Sequence, residues 1–358
     1  MVIENQFNGR GLSTLIGSLP VADYRQALDL ILDYTPDIPL WPQLPSNPKE
    51  GMMNQFIDGI PGIIDAENRT LFDLSGDNFE SEMLSFYEEY LACLDDPSLL
   101  LTSRFSVSKE RARGIYDLKE ICSGKKITAV KGQITGPFTL LTGISDENHK
   151  LGYYDAQFRE IAVKGLAMKG GWQAEFLKSL GAPVIIFIDE PALAGLGSSA
   201  FISISKEDIG QDLSEVISGI QQSGGFAGVH VCANTDWNFL LSVAIDVLSF
   251  DSYGFFDRLI TCKQQLLSFL DRGGNIAWGI IPTSDEKTIE QQDCESLVAL
   301  WEKQAGMLED GNFDKSAILA RSLITPSCGT GALSLNAALK VLSLTKEVSA
   351  ALRERYQK

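Results

Sequence analysis

A histidine and a cysteine stand two positions apart at the end of an apolar run in this sequence. The run GVHVC at 228–232 carries His230 and Cys232, and the chain has two histidines in all. Residues i and i+2 of a strand point to the same face, so both side chains could contact one ion from one side. Zinc prefers tetrahedral nitrogen and sulfur ligands, and its catalytic sites keep one position open. The pair therefore indicates part of a zinc site.

Two further residues could complete such a site. Cys328, in TPSCGTG, offers a second sulfur, and Asp251, at the end of VLSFDS, could add an oxygen. The alternative is that His230 and Cys232 form a buried core pair, since free cysteine is commonly buried. The C-x-x-C pairs of structural zinc sites do not occur in the sequence, so ligands spread over separate strand ends favour a reaction centre.

The remaining cysteines and the second histidine are predicted to be chemically inert. The four cysteines Cys93, Cys122, Cys262 and Cys294 fall in helical patterns, where packing is the expected role. His149 lies in the polar stretch SDENHK and is expected to be solvated. Six cysteines scattered through 358 residues do not resemble a secreted disulfide scaffold, which indicates a reduced, cytoplasmic protein.

The elements that must position these side chains alternate along the chain. Several candidate strands are near-continuous apolar runs, which is typical of parallel sheets covered on both faces. The candidate strands are 12–18, 37–43, 127–133, 184–190, 228–232, 247–252, 276–281 and 322–328. The candidate helices between and after them are 155–180, 206–222, 257–271, 286–308 and 332–356.

Eight strands alternating with helices predict an α/β fold, a (βα)8 TIM barrel. Residues 44–125 are predicted to be a helical insertion between the second and third strands, with helices near 80–94 and 108–122. A doubly wound open sheet is the competing fold. No linker or internal repeat is visible, so the sequence predicts one domain over 1–358.

Polar residues follow most of the apolar runs. The first run ends in Gly17 and Ser18, the third in Gln133, and the fourth in Asp189 and Glu190. Barrel enzymes carry their chemistry at the C-terminal ends of the strands, so these residues are expected to meet the histidine and the cysteines.

Composition excludes several classes of partner. The formal net charge is −17, which disfavours sequence-independent binding to nucleic acid or to anionic lipid. The polar start MVIENQFNGRGLST does not read as a signal peptide, and no apolar run approaches the roughly 20 residues that span a bilayer. We therefore expect no nucleic-acid and no membrane partner.

The motifs LIGSLP, GQITGPFTL, IIFIDEPAL, HVCANTDW, SFDSY and TPSCGTG resemble, in this order, the C-terminal catalytic barrel of cobalamin-independent methionine synthase. That barrel is shared with uroporphyrinogen decarboxylase, and the resemblance covers nearly the whole chain. It implies methyl transfer to the thiol of homocysteine to form methionine. It implies zinc held at His230, Cys232, Cys328 and Asp251. It also implies homocysteine held at Ile16, Gly17, Ser18 and Asp189, where Asp189 receives the amino group.

The sequence departs from the family at places that concern the methyl donor. The family's full enzyme has a second, N-terminal barrel, and its carboxylate ligand is usually glutamate where Asp251 stands. A tryptophan that stacks on folate is replaced at Gly143, and a histidine that protonates the folate is missing near Thr283. N5 of a methylated folate leaves poorly unless protonated, whereas a methyl on corrinoid cobalt needs no proton. The resemblance therefore suggests methylcobalamin or another methylcorrinoid as the donor, free or on a separate corrinoid protein.

Three other functions remain open at this point. A corrinoid-to-coenzyme M methyltransferase would share the barrel and the zinc pattern. A decarboxylase of the uroporphyrinogen type would leave His230, Cys232 and Cys328 without a role. A module that stores zinc or docks a corrinoid would bind zinc tightly without transferring a methyl group.

Overall fold

The computed structural model describes residues 7–66 and 69–357. Seven of its strands form one sheet in which every neighbouring pair is parallel, in the order β1-β9-β8-β7-β6-β5-β4. These strands are β1 (Leu12–Ser13), β4 (Val130–Thr135), β5 (Val184–Asp189), β6 (Phe226–Val231), β7 (Val247–Phe250), β8 (Asn275–Ile281) and β9 (Ser322–Pro326). A separate antiparallel hairpin consists of β2 (Ile63–Ala66) and β3 (Arg69–Phe72).

The sheet is curled, and the predicted second strand lies between its two edges. Segment 37–43 is not a continuous strand, but Leu40 forms an isolated parallel bridge with Lys131 of β4. At its other end, Gln43 forms an isolated parallel bridge with Ser18, beyond β1. The α/β class and the parallel sheet of a TIM-like barrel are thus as predicted, while an eighth strand remains a prediction.

Helices separate the parallel strands. They are α1 (Tyr24–Tyr34), α2 (Phe79–Asp95), α3 (Arg113–Cys122), α4 (Pro137–Gly143), α5 (Ala156–Lys178), α6 (Lys206–Gln222), α7 (Trp237–Ser242), α8 (Ser252–Leu259), α9 (Lys263–Asp271), α10 (Glu286–Glu290), α11 (Cys294–Leu308), α12 (Lys315–Ala320) and α13 (Leu335–Tyr356). Short 3-10 helices occur at Pro48–Glu50, Pro97–Thr102, Gly152–Tyr154, Pro191–Gly195, Ser199–Phe201 and Ile260–Cys262.

Two of the predicted helices are each divided in the structure. The predicted helix 257–271 is α8 and α9, separated by the 3-10 turn at Ile260–Cys262. The predicted helix 286–308 is α10 and α11. Asp293 begins α11 with a capping box, in which its Oδ1 accepts a hydrogen bond from Ser296 N at 2.8 Å. A new N-cap satisfies the free N–H groups of a new first turn, so the chain starts a second helix rather than extending the first.

The concave side of the sheet is apolar at the N-terminal ends of the strands and polar at their C-terminal ends. One buried cluster joins side chains from strands that are not neighbours, including Leu12 of β1, Phe187 of β5 and Val247 of β7. Since alternate residues share a face, the residues that continue this face are polar, such as Asp189 after Phe187 and Ser249 after Val247. A larger core packs the outer face of the sheet against the helices.

Among residues 7–66 and 69–357, no helix has the length and apolar character needed to cross a membrane.

Candidate metal centre

One imidazole and two thiols meet at the C-terminal ends of the strands. His230 lies on β6, Cys232 follows that strand, and Cys328 follows β9. One potential ligand atom from each of the three lies within 4.8 Å of the other two. His230 is buried and the two cysteines are partly exposed. The structure thus brings together the three residues that the sequence singled out.

A serine that the sequence analysis missed orients the imidazole. His230 of β6 pairs with Ser249 of β7 in the parallel register, and the two side chains are joined by a hydrogen bond of 2.9 Å between Nδ1 and Oγ. The Nε2 atom is buried and has no hydrogen-bond partner in the described part of the chain. A metal-binding histidine commonly engages its other ring nitrogen in this way, which leaves one nitrogen for the ion. The available signal was the position of Ser249, two residues before Asp251 in the predicted strand 247–252.

The two thiols differ in acidity. The neighbouring side chain of Cys328, followed by that of His230, lowers the pKa of the Cys232 thiol well below its usual value. The neighbouring side chain of Cys232, together with burial, raises the pKa of Cys328. Two thiols beside an imidazole nitrogen that has no hydrogen-bond partner in the described residues are the donors that zinc takes, so these residues fit a three-ligand zinc site.

Asp251 is not part of this cluster in the structure. Its carboxylate begins α8 as the N-cap, and Oδ1 accepts a hydrogen bond from Gly254 N at 2.8 Å. Burial raises the pKa of Asp251, and the charges of Cys232 and His230 also act on it, so it lies near the cluster. Its assignment as a zinc ligand stays a prediction.

Three of the four residues expected to hold the amino acid, Ile16, Gly17 and Ser18, form a short segment beyond β1, which we call the 16–18 strap. Gly17 O accepts a hydrogen bond from Gln43 N at 3.1 Å, and Leu19 N donates to Gln43 O at 3.1 Å. A Cβ atom on Gly17 would lie 2.6 Å from Gln43 Oε1. A side chain at position 17 would therefore have to displace the amide group of Gln43.

The strap also contacts the loop that carries Cys328. Ser18 O accepts a hydrogen bond from Thr330 N at 2.9 Å, and Ser18 Oγ accepts one from Gly331 N at 3.2 Å. A Cβ atom on Gly329 would lie 2.2 Å from Ser18 Oγ. Glycine after Cys328 thus lets Ser18 approach the thiol cluster closely.

Asp189 provides a buried carboxylate beside the cluster. It is 7% exposed, it pairs with His230 in the register of β5 and β6, and its Oδ1 has no hydrogen-bond partner in the described residues. Burial raises the pKa of Asp189 to about 6, while electrostatic interactions with His230 and Lys131 oppose that rise. A buried acceptor without a donor costs free energy unless a ligand satisfies it.

Glu190, next in sequence, has a different place. Its carboxylate accepts hydrogen bonds from Phe138 N at 2.9 Å and Thr139 N at 2.8 Å, at the beginning of α4. A Cβ atom on Gly136 would lie 2.1 Å from the Glu190 carboxyl carbon. Burial raises the pKa of Glu190 to about 7. The Glu190 carboxylate is thus engaged by the beginning of α4, and Asp189 is the acid that remains available to a ligand.

The positions expected to differ from folate-using enzymes have other contacts here. At Gly143, a Cβ atom would lie 2.4 Å from the terminal methyl group of Met53, so methionine fills that space. Thr283 is buried, and its hydroxyl lies 2.9 Å from Ser327 Oγ, next to Cys328. His149 is exposed, with a positive φ of 64°, in the loop after α4.

The four other cysteines lie outside the cluster. Cys93, Cys122 and Cys262 are buried and Cys294 is partly buried, as expected for packing residues.

Comparison with known proteins identifies a relative in structure. No protein-family model matches this chain, and no curated protein matches it in sequence. The structure of a B12-independent methionine synthase from Shewanella sp. W3-18-1, in complex with selenomethionine, matches with a TM-score of 0.58 and 14% identity. The match covers 96% of this chain and 98% of that one. This chain shares its fold.

A second solved structure, of the pneumococcal exo-β-D-N-acetylglucosaminidase StrH with tandem GH20 catalytic modules, matches with a TM-score of 0.46 and 12% identity. That match covers 95% of this chain and 85% of the other, and the similarity is too low to bear on either fold or function.

Proposed function

We propose that this protein is a zinc-dependent methyltransferase that converts homocysteine to methionine, with a methylcorrinoid as the methyl donor. One observation carries the proposal: an imidazole nitrogen and two thiols converge beside the buried carboxylate of Asp189, and neither that nitrogen nor Asp189 Oδ1 has a hydrogen-bond partner among the described residues. The proposal includes membership of the methionine synthase family, as a single domain with an eight-stranded barrel. The fold shared with a methionine synthase supports it.

The metal would be held by His230, Cys232 and Cys328, with Asp251 as a further candidate. The hydrogen bond between His230 Nδ1 and Ser249 Oγ leaves Nε2 of His230 for this role. Zinc in this site would supply a bound substrate sulfur in its deprotonated form, because a coordinating metal deprotonates a thiol.

The amino acid part of the substrate would bind to the protein itself. Asp189 Oδ1 is a buried acceptor that matches the ammonium group of homocysteine, and such a charge-assisted hydrogen bond is stronger than a neutral one. The 16–18 strap touches the Cys328 loop through Ser18 and would provide the second anchor. Two anchors and a bound sulfur would fix the thiol relative to the incoming methyl group, and such orientation is a large part of catalysis.

In the transfer, a bond forms between the homocysteine sulfur and the methyl carbon, and the bond from that carbon to the donor breaks. With a methylcorrinoid donor, the electron pair of the breaking bond remains on cobalt, and no proton is needed at the leaving group. With a methylated folate, the leaving nitrogen requires a general acid. The only described histidine outside the cluster, His149, is on an exposed loop, and the contact of Thr283 is another hydroxyl.

The length of the chain does not decide the donor. The Shewanella enzyme is of similar length, since the match covers 98% of it, and it is named B12-independent. The proposal for a corrinoid therefore depends on the residues around Gly143 and Thr283 alone.

The donor is tested by a direct comparison. Purified zinc-loaded protein is incubated with L-homocysteine and, in separate reactions, methylcobalamin or methyltetrahydrofolate at equal concentration, and methionine is quantified. We expect methionine from methylcobalamin and negligible methionine from the folate. Turnover with the folate alone would reject the corrinoid while retaining thiol methyl transfer.

The class of reaction is tested by the acceptor. Replacing homocysteine by coenzyme M should abolish product, because coenzyme M has no ammonium group for Asp189. Product from coenzyme M alone would assign the site to the corrinoid-to-coenzyme M type. One tightly bound zinc with no methyl transfer to either thiol would favour a binding module.

A further inference from the structure

A lysine is fully buried inside the curled sheet, directly beneath the 16–18 strap. Lys131 lies on β4 and is 0% exposed. Its Nζ donates hydrogen bonds to Ile16 O at 2.7 Å and to Gln133 Oε1 at 3.3 Å, and it lies 4.5 Å from the centroid of the Phe187 ring. The side chain thus spans from β4 to the strap and makes the shorter of its two hydrogen bonds there.

Burying this ammonium group is unfavourable and needs a reason. Removing a charge from water costs several kcal/mol in real proteins unless it is compensated. Burial lowers the pKa of Lys131, and Asp189 is the charge that opposes this effect. Asp189 Oδ1 has no hydrogen-bond partner among the described residues. Lys131 therefore offsets the negative charge of Asp189 and leaves Oδ1 available to accept a hydrogen bond from a ligand.

A neutral apolar residue would pack at this position without that cost, but the Ile16 carbonyl would then lose its donor. The strap is otherwise tied on its outer side, by Gln43 to Gly17 and by Thr330 and Gly331 to Ser18. Lys131 is the contact that reaches Ile16 from inside the barrel.

We propose that Lys131 is a positioning residue that holds the 16–18 strap in the position from which the strap contacts the amino acid part of the substrate. The inference rests on the proposed function, because it assigns the strap to homocysteine. Lys131 acts through the Ile16 carbonyl, on the amino acid end of the substrate, and leaves the binding of its sulfur to the cluster unaffected.

Another fully buried lysine among the described residues, Lys169, offers a matched control. Lys169, on α5, is 1% exposed, and its Nζ has no hydrogen-bond partner in the described part of the chain. Burial lowers its pKa, and the charges that act on it are those of Asp58 and Arg111 rather than Asp189. Lys169→Met therefore removes the same charge from the same kind of environment without touching the strap.

The test compares two thiols. Zinc-loaded wild type, Lys131→Met and Lys169→Met are titrated calorimetrically with L-homocysteine and with 1-propanethiol, which has a sulfur but no amino acid group. We expect Lys131→Met to weaken homocysteine binding at least tenfold and propanethiol binding less than threefold, with zinc content unchanged. Lys169→Met should bind both thiols as the wild type does. Equal loss for both thiols, or no loss for either, would overturn the proposal.

A second measurement does not depend on the substrate. Hydrogen exchange of the peptide covering residues 12–20 should be faster in Lys131→Met than in the wild type or Lys169→Met, and unchanged exchange would overturn the positioning role. If Lys131→Met does not fold, Lys131→Gln retains a neutral donor and should show a smaller shift in both measurements. A wild type that binds neither thiol would reject the proposed function, while the exchange measurement would still decide whether Lys131 holds the strap.

Discussion

Replacing Ser249 by alanine isolates the contribution of one hydrogen bond to metal affinity. Ser249 is fully buried, and its hydroxyl contacts Nδ1 of His230 at 2.9 Å. In Ser249→Ala the imidazole keeps its position on β6 but loses the partner that orients its ring. The ring can then rotate, and either nitrogen can carry the proton.

The size of the effect follows from that contact. Loss of an outer-shell partner of a metal-binding histidine typically costs about 10–100-fold in affinity. That range corresponds to about 1.4–2.7 kcal/mol of binding free energy. Loss of one buried hydrogen bond changes the free energy of unfolding by about 0.5–1.5 kcal/mol, so the protein should remain folded.

Zinc affinity is measured by competition with a chelator at fixed pH. Ser322→Ala is the control, because Ser322 is also fully buried and lies at the end of β9 opposite to Cys328. The Ser322 hydroxyl accepts a hydrogen bond from Trp278 Nε1 at 2.9 Å and donates one to Ile318 O at 2.7 Å. We expect weaker zinc binding in Ser249→Ala alone. Since the chain has two histidines, ¹⁵N-histidine NMR reports the His230 ring directly. Equal zinc dissociation constants for wild type, Ser249→Ala and Ser322→Ala would refute the reasoning.

Three further predictions concern the cluster, the substrate acid and a buried charge. Cys232→Ser and Cys328→Ser should each reduce the zinc content below one equivalent by elemental analysis. Cys262→Ser removes a buried thiol elsewhere and should retain the zinc. Full zinc occupancy in the first two variants would contradict the ligand assignment. Asp189→Asn should weaken L-homocysteine binding in calorimetry at unchanged zinc content, because it removes a charge-assisted contact, and an unchanged affinity would argue for another thiol. Lys169→Met should raise the free energy of unfolding at pH 7 by up to about 3 kcal/mol. The reason is that burial lowers the pKa of Lys169 from 10.5 to about 8, so its charged form is unfavourable in the folded state. That gain is full below pH 8 and declines as the pH rises toward 10.5, so urea unfolding at pH 7 and pH 10 should show a smaller difference at the higher pH.

Long, regular segments were predictable from the sequence. The predicted helix 206–222 is α6, and the apolar run 184–190 becomes β5 with one residue fewer. These segments repeat one local pattern over many residues, so neighbouring positions reinforce the same backbone geometry.

Irregular segments were not predictable in the same way. Of the predicted strand 12–18, only Leu12–Ser13 is a strand in the structure. Gly17 and Ser18 instead form hydrogen bonds with Gln43 and with the loop after Cys328. The hairpin of β2 and β3 lies in the segment 44–125, for which only helices were predicted. In both places the partner is distant in sequence, so the local pattern carries no information about it.

The sequence by itself determined which chemical groups are available and that they stand at the ends of strands. His230, Cys232 and Cys328 could be selected because residue type and spacing are local properties. The tertiary structure decided which groups meet: Ser249 contacts His230, and Asp251 caps α8 outside the cluster. These contacts depend on the register between strands, and a shift of one residue would turn each of these side chains to the opposite face of the sheet.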